Sequence, residues 1–241
     1  MSKTLIVIPD AGPLITLAKA GALELLLAFD VNAEIVLTDT VEFEATRMRT
    51  EHADAQKICD FINGNPQRIS IRSTTYGAVS IAASKARQRY EESPEVRAFF
   101  EANNLPPPPK TTIDAGEMSI LSFISGLIGE PPGPPCLIIA EDDFFLRANS
   151  GALPGNASIV STMAFLVALQ KINPKIKASA VMDDAQTLSR PPNMTSIDKP
   201  AEKLKNSAPW QDSIDEANLK TAIEKRLMNK KKSPSSPGSK F

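Results

Sequence analysis

Apolar residues in this chain fall into short continuous runs separated by longer stretches with helical spacing. Thr4-Leu5-Ile6-Val7-Ile8-Pro9 is a run of strand length with no polar alternation. Such runs suit strands buried on both faces of a parallel sheet. Glu34 to Leu37, Arg68 to Ile71, Cys136 to Ala140 and Ala157 to Val160 predict four further strands. Helical patterns lie between them: Leu14 to Leu27 with a break at Gly21, Val41 to Arg47, His52 to Ile62, 114–127 and Met163 to Lys171. Strands alternating with helices predict an α/β fold. The expected architecture is a three-layer αβα stack with a central, mostly parallel sheet of about five strands.

The pattern also places acidic residues at strand ends. Asp10 closes the first strand and precedes Gly12-Pro13, a suitable first helical turn. Thr38-Asp39-Thr40 starts a helix that carries Glu42 and Glu44. Residues two apart on a helix do not share a face, so at most one of these two points into a site. Asp114 and Glu117 are three apart and do share one. Their spacing is equally that of a capping box, with Asp114 as the N-cap. Asp10 has the same alternative reading, as a cap. Glu141-Asp142-Asp143 follows the most clearly buried strand, and three adjacent carboxylates call for a cation or for open solvent. With parallel strands, all these ends gather at one edge of the sheet.

Composition narrows the chemistry. The chain has one histidine and two cysteines, Cys59 and Cys136, which excludes multi-histidine zinc sites and any disulfide framework. Aromatics are 5%, too few for a surface built on stacked bases. Acids from several segments, without nitrogen or sulfur ligands, suit a hard cation such as Mg²⁺ or Mn²⁺. No apolar run is long enough to span a membrane, and no basic leader opens the chain, so a cytoplasmic protein is expected. Residues 1–175 read as the α/β domain, with 74–110 as an insertion that holds two helices and the cations Lys85, Arg87 and Arg89. Residues 176–241 read as an extension, partly helical, ending in a basic tail with Lys230 to Lys232.

Five pieces in this order resemble the PIN-domain ribonucleases, including the toxins of toxin–antitoxin pairs. They are Val7-Ile8-Pro9-Asp10 with Gly12-Pro13-Leu14-Ile15 and Leu17; Thr38 through Val41 to Glu44; Asp114-Ala115-Gly116-Glu117 with Ile120; Leu137 to Asp143 with Arg147; and Ile159-Val160-Ser161-Thr162 with Phe165-Leu166. The resemblance covers roughly 4–73 and 111–172, outside the insertion and the extension. It implies a metal-dependent endoribonuclease that uses Mg²⁺ or Mn²⁺ and acts on RNA, with an antitoxin protein and a second copy of the chain as further partners. Asp10, Glu44, Glu117 and Asp142 match the family's acidic positions, and Asp114 and Asp143 stand beside the last two. Ala140, and Ala11-Gly12, occupy places where the family often has hydroxyl residues. A non-catalytic PIN-like interaction module is the alternative. A phosphoryl-transfer domain with Asp10 as nucleophile is disfavoured, because no lysine ends a later strand.

Overall fold

A computed structural model describes residues 4–109, 114–127, 133–141 and 153–187. The five expected strands form one sheet: β1 (Ile6–Pro9), β2 (Glu34–Thr38), β3 (Ile69–Arg72), β4 (Cys136–Ile139) and β5 (Ala157–Val160). Their order is β3-β2-β1-β4-β5, and every neighbouring pair is parallel. Helices flank the sheet in three layers: α1 (Ala11–Lys19), α2 (Leu25–Ala28), α3 (Asp39–Thr46), α4 (Ala53–Gly64), α5 (Thr75–Glu92), α6 (Pro94–Ala102), α7 (Ala115–Gly126), α8 (Thr162–Ile172) and α9 (Ala178–Thr187).

The apolar runs account for this order. β1 and β4 are buried along their whole length, as central strands covered on both faces must be. Val7, Ile8, Leu14, Leu17, Ile138 and Phe165 form the dry centre. Each fully buried aliphatic side chain of this size contributes about 1.5–3 kcal/mol. β3, at the edge, is mostly open to water: Ile69 is buried, but Ile71 and Arg72 are exposed.

The chain builds outwards from β1 to β2 and β3, then returns to lay β4 on the other side of β1. The direction of winding therefore reverses between β1 and β4. In open α/β sheets a crevice forms at that point, beyond the carboxyl ends of the strands. Pro9 pairs with Ile139 there, and the Asp10 amide donates to the Ile139 carbonyl at 2.9 Å. Asp10 and the Ala140-Glu141 corner are thus neighbours by backbone register alone.

Two expectations about helix starts change. The capping reading of Asp114 falls, because its backbone is left-handed, at φ 66°, and its side chain makes no capping bond. An N-cap normally has extended backbone, from which its oxygen can reach the first-turn amides. Asp10 precedes α1 with extended backbone, but its carboxylate likewise caps nothing. In the insertion, α5 begins at Thr75, three residues before the apolar pattern suggests, because the Thr74 hydroxyl accepts from the Gly77 amide.

Candidate functional site

The site is assembled from the first turns of helices and the ends of strands. Asp10 and Glu117 are both buried, 6% and 8% exposed. Buried carboxylates are uncommon unless something answers their charge. Gly116 is the point where two of the acids meet. A Cβ placed there would stand 2.9 Å from Glu44 Oε2, 3.0 Å from Asp10 Oδ1 and 3.5 Å from the Val41 side chain. Only a glycine lets α7 come this close to both carboxylates. The choice of Glu44 over Glu42 agrees with this placement, because the Glu42 carboxylate accepts from the Thr46 hydroxyl on α3 itself.

Electrostatics adds the remaining members. Glu44 is pushed up to about 7, first by burial and then by the Glu117 carboxylate. Asp114 pushes in the same direction, and Arg47 opposes. Four of the expected acids, Asp10, Glu44, Asp114 and Glu117, therefore occupy one neighbourhood. Asp142 and Asp143 lie outside the described residues. Among the described residues, no three acids, histidines or cysteines are drawn together closely enough to form a ready ligand set.

Hydroxyls hold the pocket in shape. Thr38, the last residue of β2, shares a 2.5 Å hydrogen bond with Ser119 of α7. The Ser119 hydroxyl also donates to the Gly116 carbonyl at 2.6 Å. These buried bonds fix the first turn of α7 against the end of β2, where Gly116 must sit. Asp39, at the start of α3, accepts from the Thr74 amide and hydroxyl at 3.1 Å each. Its carboxylate fills the space a side chain at Gly77 would need, which locks the start of α5 onto α3.

The sequence pattern did not single out Glu141. Its carboxyl end is enclosed between two helices, although the residue as a whole is partly exposed. The Thr162 hydroxyl donates to Oε1 at 2.5 Å and the Thr16 hydroxyl to Oε2 at 3.2 Å. Burial pushes this carboxyl up; the two hydroxyls and the Lys19 charge pull it down. Glu141 ties β4 to α1 and α8 rather than joining the acids at Gly116. One signal could have found both places. The tripeptide Asp-Ala-Gly occurs at 10–12 and again at 114–116. Each time it opens a helix, and each time the glycine leaves room for a carboxylate; at Gly12 the neighbour is Glu141 Oε2, 3.2 Å from the place of a Cβ. Glycine in a helix costs about 1 kcal/mol relative to alanine, so its use twice at such positions asks for a reason.

No family model, curated protein or solved structure matches this chain. The reading of the site therefore rests on the chemistry of its residues. Those residues fit a hard divalent cation. Asp10, Glu44, Asp114 and Glu117 offer carboxylate oxygens, and the mutual repulsion felt at Glu44 is what such a cation relieves. No helix among the described residues is long and apolar enough to cross a membrane.

Proposed function

We propose that the protein is a metal-dependent endoribonuclease of the PIN type. The observation that carries this reading is the convergence at Gly116. Carboxylates from the end of β1 and from the last turn of α3 approach the first turn of α7, at the point where the sheet reverses its winding. Asp10, Glu44 and Glu117 would hold Mg²⁺ or Mn²⁺, with Asp114 beside them and with Asp142 and Asp143 from the β4 end of the chain. When bound, such a cation lowers the pKa of a coordinated water and offsets charge on a phosphodiester undergoing in-line displacement.

The chain's own residues do the rest. The carboxyl groups of Asp10 and Glu117 are buried, so charge held there acts more strongly than in water. Glu44, raised to about 7 by burial and the Glu117 carboxylate, would release its proton near neutral pH on taking up a cation, and would then serve as a ligand. The Thr38–Ser119–Gly116 bonds keep the floor of the pocket from shifting as charge changes. The resemblance extends this to a toxin of a toxin–antitoxin pair, with an antitoxin and a second copy of the chain as partners.

The experiment is cleavage of single-stranded RNA in Mg²⁺ or Mn²⁺, against a chelator control. Wild type should cleave. Asp10→Asn and Glu117→Gln should each lose at least about 100-fold in rate, the scale of removing one group from an electrostatic catalytic set. Equal cleavage by wild type and both variants would assign the activity to a contaminant. A binding module without catalysis would show no cleavage in any of the three.

A further inference from the structure

The acid pocket repels a polyanion, so a phosphodiester chain entering it needs cations at the rim. Several cations of the described chain are already committed to the fold. Arg68 donates to the carbonyls of Ala33 and Asp30. Arg72 pairs with Glu34 at 3.1 Å, and Lys57 donates to the Ala18 carbonyl. Arg87 is held by Glu91 at 2.6 Å and by the Pro108 carbonyl, and lies over the Tyr90 ring.

Two cations beside the pocket are not committed in this way. Arg47 follows the last turn of α3, three residues after Glu44 and so on the same side of that helix. It is exposed and, among the described residues, forms no ion pair. Lys85 comes from the insertion. The anchoring of the α5 start by Asp39 and Thr74 lays α5 along α3. That places Lys85 Nζ 5.8 Å from the centre of the Phe43 ring, four residues before Arg47 and so on its side of α3. The ring face attracts the ammonium, which belongs to an exposed residue and forms no ion pair among the described residues.

We propose that Arg47 and Lys85 form a phosphate-binding rim on the α3–α5 side of the acid pocket, which holds the backbone of a single-stranded nucleic acid as it enters. This rests on the nuclease reading for the direction of entry, but the rim is measurable without cleavage. The insertion thereby gains a role in substrate binding through Lys85, while Arg87, on the same helix, serves the hairpin.

Binding of a short fluorescent single-stranded RNA, and of DNA of the same sequence, is measured by anisotropy in chelator over a range of salt. Each lost phosphate contact should lower the salt slope of log K by about 0.7 and weaken binding about 5–10-fold at about 50 mM salt. Arg47→Ala and Lys85→Ala should each do so, and the double variant should show about twice the change in slope. Lys85→Arg should keep the slope, which a purely structural role for Lys85 would not require. Lys171→Ala should leave it unchanged, because Lys171 lies in the last turn of α8, away from the strand ends where that helix begins. Equal effects with RNA and DNA would identify the shared phosphodiester backbone as the ligand. An effect with RNA alone would add a contact to the ribose. Unchanged slopes in both alanine variants, or no binding by wild type to either strand at about 50 mM salt, would overturn the rim. Binding that depends on Arg47 and Lys85, without metal-dependent cleavage, would overturn the nuclease reading and leave the rim standing.

Discussion

In the presence of a chelator, Glu44→Gln should stabilise the protein by about 2–3 kcal/mol near pH 8 and change almost nothing near pH 4. Glu44 is raised from 4.5 to about 7, chiefly by burial and then by Glu117. The folded state therefore holds this proton more tightly than the unfolded chain does. Below the unfolded value both states are protonated and the site carries no penalty. Between that value and about 7 the unfolded state releases its proton first, and stability falls as pH rises. Above 7 the penalty is complete. The full conversion at 1.36 kcal/mol per unit is an upper bound, because Glu44 is only half-buried. Glutamine keeps the shape and removes the charge. Thermal unfolding should show a rise in Tm of roughly 5–10 °C at the higher pH. A Glu44→Gln protein less stable than wild type at that pH would show that the carboxylate is held by favourable contacts instead.

The second large effect is expected at Gly116. Alanine is the better helix former by about 1 kcal/mol, so the substitution would stabilise α7 at an open position. Here the added methyl meets Glu44 Oε2 at 2.9 Å and Asp10 Oδ1 at 3.0 Å. Both carboxylates must move by a fraction of an ångström. A 1 Å misplacement costs a reacting geometry about 100-fold, so a shift of this size costs about 10-fold. Gly116→Ala should thus lose about 10-fold or more in RNA cleavage while unfolding within about 1 kcal/mol of wild type. Cleavage within a few-fold of wild type would mean that the acids do not act together at this point.

The fold was legible where a residue's role depends on its immediate neighbours. β1 and β4 announced themselves as unbroken apolar runs, because a strand covered on both faces has no polar side to show. Asp10 was legible for the same reason, as the first residue beyond such a run. Spacing left Glu42 and Glu44 open and only the resemblance preferred Glu44; the structure gives Glu42 a local hydrogen bond with Thr46. The capping reading of Asp114 failed, since a capping-box spacing says nothing of the backbone angle, which here is left-handed. Glu141 was read as one of three like neighbours. Its partners are 125 residues away at Thr16 and 21 away at Thr162, beyond any local pattern. Ser119 and Asp39 escaped for the same reason: their partners come from other elements.

The most direct measurement is Mn²⁺ binding to the purified full-length protein by calorimetry at about pH 8, where Glu44 is ionised. It requires no knowledge of the RNA that is cut, so it isolates the pocket from its substrate. Wild type should bind Mn²⁺, and the ion should raise its Tm. Asp10→Asn and Glu117→Gln should weaken binding at least about 10-fold while remaining folded, the scale on which altering a metal site's carboxylates acts. Mn²⁺ affinity unchanged in both variants, or a wild type that binds no Mn²⁺ at all, would contradict the assignment of these buried acids to a metal centre.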